Sequence, residues 1–187
     1  MKKGIQMFLV LCMMLLGMQV AFAGGEKATV DKDFELATIH RMVLVEPQYT
    51  PLKDGAAKAD ITNMMFKMGE KARFQLLPYD LVLNNIQRDK NVSFASMDKK
   101  EVSKIFEANA AQYADAYMVP TVVHNDRVVI FFDVYAAATN KLVYTYQIVA
   151  DRTDPDTLAT YQELTKQFYR AFDKSVQKQL KDNEKAK

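Results

Sequence analysis

The apolar pattern along this chain changes its period several times, and each change marks an element. Three β-rich runs lie close together at residues 115–123, 127–137 and 141–150. Two short turns separate them, the second reading Ala138-Thr139-Asn140, so the runs predict a meander. Upstream, residues 38–46 contain the unbroken run Met42-Val43-Leu44-Val45, as expected of a strand buried on both faces. Pro47 ends it, and residues 47–58 read as a loop. A short second strand follows at residues 74–77, stopped by Pro78.

Between the strands the period switches to that of helices. Ile61, Met64, Met65, Met68 and Ala72 share a face behind Asp60, a good N-cap. The methionines read as adaptable core filler. Val82 and Ile86 mark a short helix over residues 79–87. Asp98 and Glu101 fit a capping box, with Met97 placed to staple onto Val102. Val102, Ile105, Phe106, Ala110 and Tyr113 form that helix's apolar face. The longest helix is predicted from an Asp154 cap and Pro155 at its first position to about residue 181. Leu158, Tyr161, Thr165, Phe168, Phe172, Val176 and Leu180 form its stripe, and residues 182–187 should fray. The strand–helix–strand start favours a parallel pair. The expected fold is therefore α/β (α+β). It has a mixed β-sheet with a three-stranded antiparallel meander, helices packed mainly on one face and a long C-terminal helix.

The amino terminus changes the domain picture. Lys2 and Lys3 precede an uncharged apolar run from Ile5 to Val20, and Ala21-Phe22-Ala23 supplies a small-residue cleavage site. Residues 1–23 thus read as a secretory signal peptide cleaved after Ala23. The run falls short of the ~20 apolar residues that span a bilayer. Cys12 is a poor acylation site, because Leu11 stands where a lipobox needs a small residue. Residues 24–37 are polar and aperiodic and are expected to be a flexible leader to a single domain at 38–181.

The signal carries two lysines, no carboxylate and the only cysteine. The exported chain then balances 23 cations against 23 carboxylates, which argues against nucleic acid or an anionic membrane as the main partner. It cannot form an internal disulfide. A cysteine-free exported domain of this size suits a bacterial envelope.

Candidate chemistry is sparse. His40 lies in a strand and His124 in a turn, too few and too far apart for zinc. No Gly-rich phosphate loop occurs, and no serine lies in an elbow motif. Ser96-Met97-Asp98-Lys99 reads as a helix start. Asp151, Asp154 and Asp156 could bind calcium, but they precede a helix whose dipole favours acids there. Tyr135, Tyr144 and Tyr146 read as packing residues. No catalytic residue, cofactor, metal site or small-molecule ligand is expected.

Four patterns carry a family resemblance. Arg41-Met42-Val43-Leu44-Val45-Glu46-Pro47 is similar to an opening strand closed by Pro. Ala72-Arg73-Phe74-Gln75-Leu76-Leu77-Pro78 is similar to a helix end, short strand and Pro. Tyr113-Ala114-Asp115-Ala116-Tyr117-Met118-Val119 matches a lead into the third strand. Phe132-Asp133-Val134-Tyr135 with Asn140-Lys141-Leu142-Val143 matches the later hairpin. Over most of residues 38–180 the chain resembles the TolB amino-terminal, CsgG and LpoB-like family of bacterial envelope α/β domains. The resemblance implies a non-enzymatic periplasmic domain that binds other envelope proteins. It transfers no catalytic residues and no specific role, since the lipobox and the TolB propeller have no match here.

The expected function is thus a periplasmic or secreted accessory protein whose partner is another envelope protein or a second copy of itself. The rival readings are a small secreted hydrolase and a self-assembling structural subunit. Strand periodicity names a surface. Val128, Ile130, Phe132, Val134 and Ala136 point one way, and Val129, Phe131, Asp133, Tyr135 and Ala137 the other. In the next strand Leu142, Tyr144, Tyr146, Ile148 and Ala150 oppose Lys141, Val143, Thr145, Gln147 and Asp151. Matching polar face to polar face puts Ile130 and Phe132 in the core; a bulge or a different register would put Phe131 there instead. The first choice leaves Val129, Phe131, Tyr135 and Val143 as the candidate partner-binding surface. Either a partner docks there, or the leader covers it through Phe34 and Leu36.

Overall fold

The computed structural model describes residues 26–50, 55–124 and 127–185. Residues 1–25, 51–54, 125–126 and 186–187 lie outside that description. The strands are β1 (Lys27–Val30), β2 (Arg41–Leu44), β3 (Gln75–Pro78), β4 (Ala116–His124), β5 (Val128–Ala136) and β6 (Lys141–Val149). The helices are α1 (Lys58–Gly69), α2 (Tyr79–Lys90), α3 (Lys99–Asn109) and α4 (Leu158–Lys185). Together the strands form one six-stranded sheet in the order β1-β6-β5-β4-β2-β3. β2 runs parallel to β3 and β4, while β4, β5, β6 and β1 pair antiparallel. The mixed sheet, its meander and the long C-terminal helix are as the sequence predicts.

Both faces of the sheet are used. On one, Met42, Leu44, Met118, Ile130, Phe132 and Tyr144 pack with Ile61 and Met65 of α1 and with Phe168 and Phe172 of α4. On the other, Val43 and Tyr117 pack with Val82 and Ile86 of α2 and Phe106 of α3. β2 therefore supplies side chains to both clusters, which is why its apolar run is unbroken. The helices divide two and two between the faces instead of gathering mainly on one. Each of α2 and α3 carries an apolar stripe that needs a sheet surface, and the first face is filled by α1 and the 28 residues of α4.

Local signals explain most boundaries. Asp98 accepts from the Lys100 and Glu101 backbone N–H groups, and Glu101 returns a bond to the Asp98 N–H, completing the capping box. Pro78 has φ −65° and serves as N-cap to α2, so β3 passes directly into that helix. In the β5–β6 turn Asn140 sits at φ 55°, a left-handed conformation that Asn tolerates. Its N–H donates to the Ala136 carbonyl at 2.8 Å.

Three expectations change. First, residues 26–37 are not a free leader. Lys27–Val30 adds an edge strand to β6, and Leu36 is fully buried. Gln179 of α4 holds this segment, accepting from the Leu36 N–H at 3.0 Å and donating to the Phe34 carbonyl at 2.9 Å. Lys141 also pairs with Asp31 at 2.6 Å and holds that carboxyl below its usual range. The strand was hidden because an edge strand with one covered face needs few apolar residues. Second, the start of α1 lies at Lys58 after Ala57, with Asp60 inside its first turn. Third, α4 begins at Leu158. Asp154 accepts from the Asp151 N–H in a preceding turn and does not cap the helix. The helix continues through Lys185, beyond the predicted fraying point.

Candidate interaction surface

The face of the sheet opposite α4 is only partly covered. α2 and α3 lie over its β2–β4 side, and Val119 and Tyr135 pack against the edge of that cluster. Further along, the register aligns three rows across the open half. Val123, Val129 and Val149 form one row; Thr121, Phe131, Gln147 and Lys27 form the next. Val119, Asp133, Thr145 and Thr29 form the third. Val123, Val129, Phe131 and Val149 are half-buried and belong to neither core cluster. Cross-strand neighbours at this spacing shield one another in part. Among the described residues, no helix seals them. The N-terminal segment does not cover them either, because Val30, Phe34 and Leu36 pack into the α4-side cluster.

Of the four predicted surface residues, Val129 and Phe131 stand on this open face. Ile130 and Phe132 are fully buried on the other, as the preferred face assignment requires. Tyr135 is on the same side as Phe131 but stacks on Tyr117, with ring centroids 5.2 Å apart and planes 12° from parallel. It therefore borders the α2–α3 cluster. Val143 is a correction: it is 1% exposed and packs in the α4-side core. The pairing passes from Val134↔Tyr144 to Tyr135↔Leu142, leaving Val143 as the extra residue of a bulge. Leu142 takes the outward place beside Tyr135 and is 39% exposed. Strict alternation could not find Leu142, because the bulge shifts the period by one residue at that point.

Among the described residues of these rows, Asp133 is the carboxylate. Asp133 accepts the Thr145 hydroxyl at 2.8 Å. Burial pushes its carboxyl above the usual range, and the Thr145 bond opposes that shift.

Elsewhere the polar clusters are small. His124, at the end of β4, has Nδ1 3.6 Å from Asp156 Oδ2 and Nε2 3.3 Å from the Tyr161 hydroxyl. Tyr161 donates to Asp156 at 2.6 Å, and burial pushes its phenol up. Asp156 thus ties the start of α4 to the end of β4, a structural task the calcium reading did not foresee. His40 precedes β2, whose start is level with that of β4. Eight residues of β4 therefore put it about 26 Å from His124 at ~3.3 Å per residue. The two histidines cannot share one site. Among the described residues, no three His, Cys, Asp or Glu side chains come together. No described helix is long and apolar enough to cross a membrane.

No protein-family model and no curated protein matches the chain. Several solved structures are similar in shape. The PelC dodecamer from Paraburkholderia phytofirmans aligns at 10% identity and TM-score 0.42, covering 78% of this chain and 94% of that one. The LpoB C-terminal domain from Escherichia coli aligns at 11% identity and TM-score 0.43, covering 76% and 93%. Lipoprotein GNA1162 from Neisseria meningitidis aligns at 13% identity and TM-score 0.39, covering 59% and 78%. At these identities and scores no residue role transfers.

Proposed function

We propose that this chain is a non-enzymatic accessory protein of the bacterial envelope, exported to the periplasm or beyond, that works by binding another envelope protein. The observation that carries this reading is the half-open sheet face around Phe131. A continuous apolar strip there, Val123, Val129, Phe131 and Val149, is left outside both cores. Apolar surface grouped in this way usually marks an interaction site. Leu142 and Tyr135 lie on the same face beyond the Asp133–Thr145 row. The family reading, with TolB and CsgG as relatives, rests on the sequence patterns and belongs to this proposal.

Phe131→Glu tests it. The variant should keep the far-ultraviolet spectrum and melting temperature of the wild type. It should also lose the envelope protein that tagged wild type captures from its own envelope fraction. A variant that melts far lower would place Phe131 in a core and overturn the surface assignment. A wild-type dimer in light scattering that Phe131→Glu converts to monomer would replace the envelope protein with a second copy as the occupant.

A further inference from the structure

On the opposite side of the molecule, the end of α1, the loop into β3 and the middle of α4 enclose an open groove of about 700 Å³. That is within the size range of small-ligand sites. Its rim carries Lys67, Lys71, Arg73, Lys166 and Arg170 against only Glu70 and Asp173. This is a surplus of three positive charges in one place, on a chain whose whole net charge is +2. Lys166 reaches Glu163 at 3.4 Å, but Lys67, Lys71, Arg73 and Arg170 form no ion pair with a described residue. Lys67 can be explained by the α1 C-terminus, where a cation complements the helix dipole. Arg73 and Arg170 have no such role.

The floor beneath these cations is apolar. Phe74 and Phe172, both buried in the α4-side core, meet edge-on at 5.4 Å behind the groove, and the partly buried Tyr169 lies tilted beside Phe74 at 6.2 Å. Tyr169 is fixed in place, since its hydroxyl donates to the Met65 carbonyl at 3.1 Å. Gly69 allows that close approach. A Cβ there would fall 2.7 Å from the Tyr169 oxygen and 2.7 Å from Leu76 Cδ2. An aromatic floor under a cluster of guanidinium and ammonium groups, most with no ion-pair partner among the described residues, suits a ligand with two unlike ends. Arg in particular binds phosphate and carboxylate through a planar fork.

We propose that this groove binds a small anionic amphiphile, a phosphate or carboxylate group joined to an apolar body. The anion would lie between Arg73 and Arg170, and the apolar body over Tyr169. The site is separate from the Phe131 face, which lies across the sheet.

Calorimetric titration of the purified protein with dodecyl phosphate, below its micelle concentration, tests the proposal. Dodecyl maltoside and inorganic phosphate serve as the single-ended controls. Dodecyl phosphate should bind at least tenfold more tightly than either control. The double variant Arg73→Glu, Arg170→Glu should lose at least tenfold of that affinity with an unchanged melting temperature, and Arg73→Lys, Arg170→Lys should keep most of it. Phosphatidylglycerol vesicles distinguish the source. Sedimentation with them, lost in the charge-reversed variant, identifies a lipid held in a bilayer; binding of dodecyl phosphate without sedimentation identifies a dispersed amphiphile. Equal binding of dodecyl maltoside, equal binding by the reversed variant, or equally tight binding of a hexaglutamate peptide would overturn the proposal. If the double variant melts lower, Arg170→Gln alone is the decisive comparison, and unchanged affinity in it would also overturn the proposal.

Discussion

Phe168 is fully buried and lies nearly parallel to Phe132 at 4.4 Å, with Tyr144, Tyr146, Tyr169 and Phe172 around it. Truncating it removes one of the main contacts between α4 and the meander and leaves a cavity among rigid rings. Phe168→Ala should cost about 3–5 kcal/mol, read as a lower urea midpoint; a midpoint near wild type would mean α4 is docked differently. Asp133 makes the opposite kind of contribution. Its folded pKa lies above the ordinary 3.8, so the native state binds the proton more tightly than the unfolded chain does. Below the ordinary value both states are neutral and nothing is lost. As pH rises through the raised value, the buried carboxylate becomes a growing cost. Asp133→Asn should still accept the Thr145 hydroxyl. It should raise the melting temperature at pH 7, and that gain should fade as the pH drops below about 4, where an ordinary Asp is protonated. A gain that persists at low pH would assign the effect to packing.

At the scale of elements, the N-terminal strand is the segment whose behaviour the structure redefines. β1 is short and polar, and an isolated strand of that kind has little reason to order. It is held by the Leu36 anchor, the two Gln179 bonds and the Lys141–Asp31 pair. Leu36→Ala should therefore cost about 2–5 kcal/mol, and amide exchange should rise across residues 27–36 as the strand detaches. Unchanged exchange there would show that β1 holds without its anchor. The capping box at Asp98 was legible because its two partners lie three residues apart in sequence. The start of α4 was not. Asp154 and Pro155 have the right residue types for a helix start, but Asp154 is taken up by the Asp151 turn and the helix waits until Leu158. Residue type alone cannot say which of two local hydrogen-bonding arrangements the chain will adopt.

For the whole molecule, export is the first expectation to check. The intact mass of the exported protein should lack residues 1–23, and a retained apolar segment or an acyl group on Cys12 would contradict cleavage after Ala23. The sequence by itself determined the mixed sheet, the meander, the long C-terminal helix and the inward stripe that carries Phe168; for β5 it favoured Ile130 and Phe132 over Phe131 and left the choice to the register. It could do so because periodicity, capping and proline stops act over a few neighbouring residues. Only the tertiary structure decided three further matters. It placed α2 and α3 across the sheet from α4, because an amphipathic stripe does not state which sheet face it will meet. It moved Val143 inward and Leu142 outward, because a bulge is set by the pairing of two strands and not by either alone. And it gathered Lys67, Arg73 and Arg170 around one aromatic floor, because Arg170 lies far along the chain from the other two and becomes their neighbour only when α1 closes on α4 over Gly69.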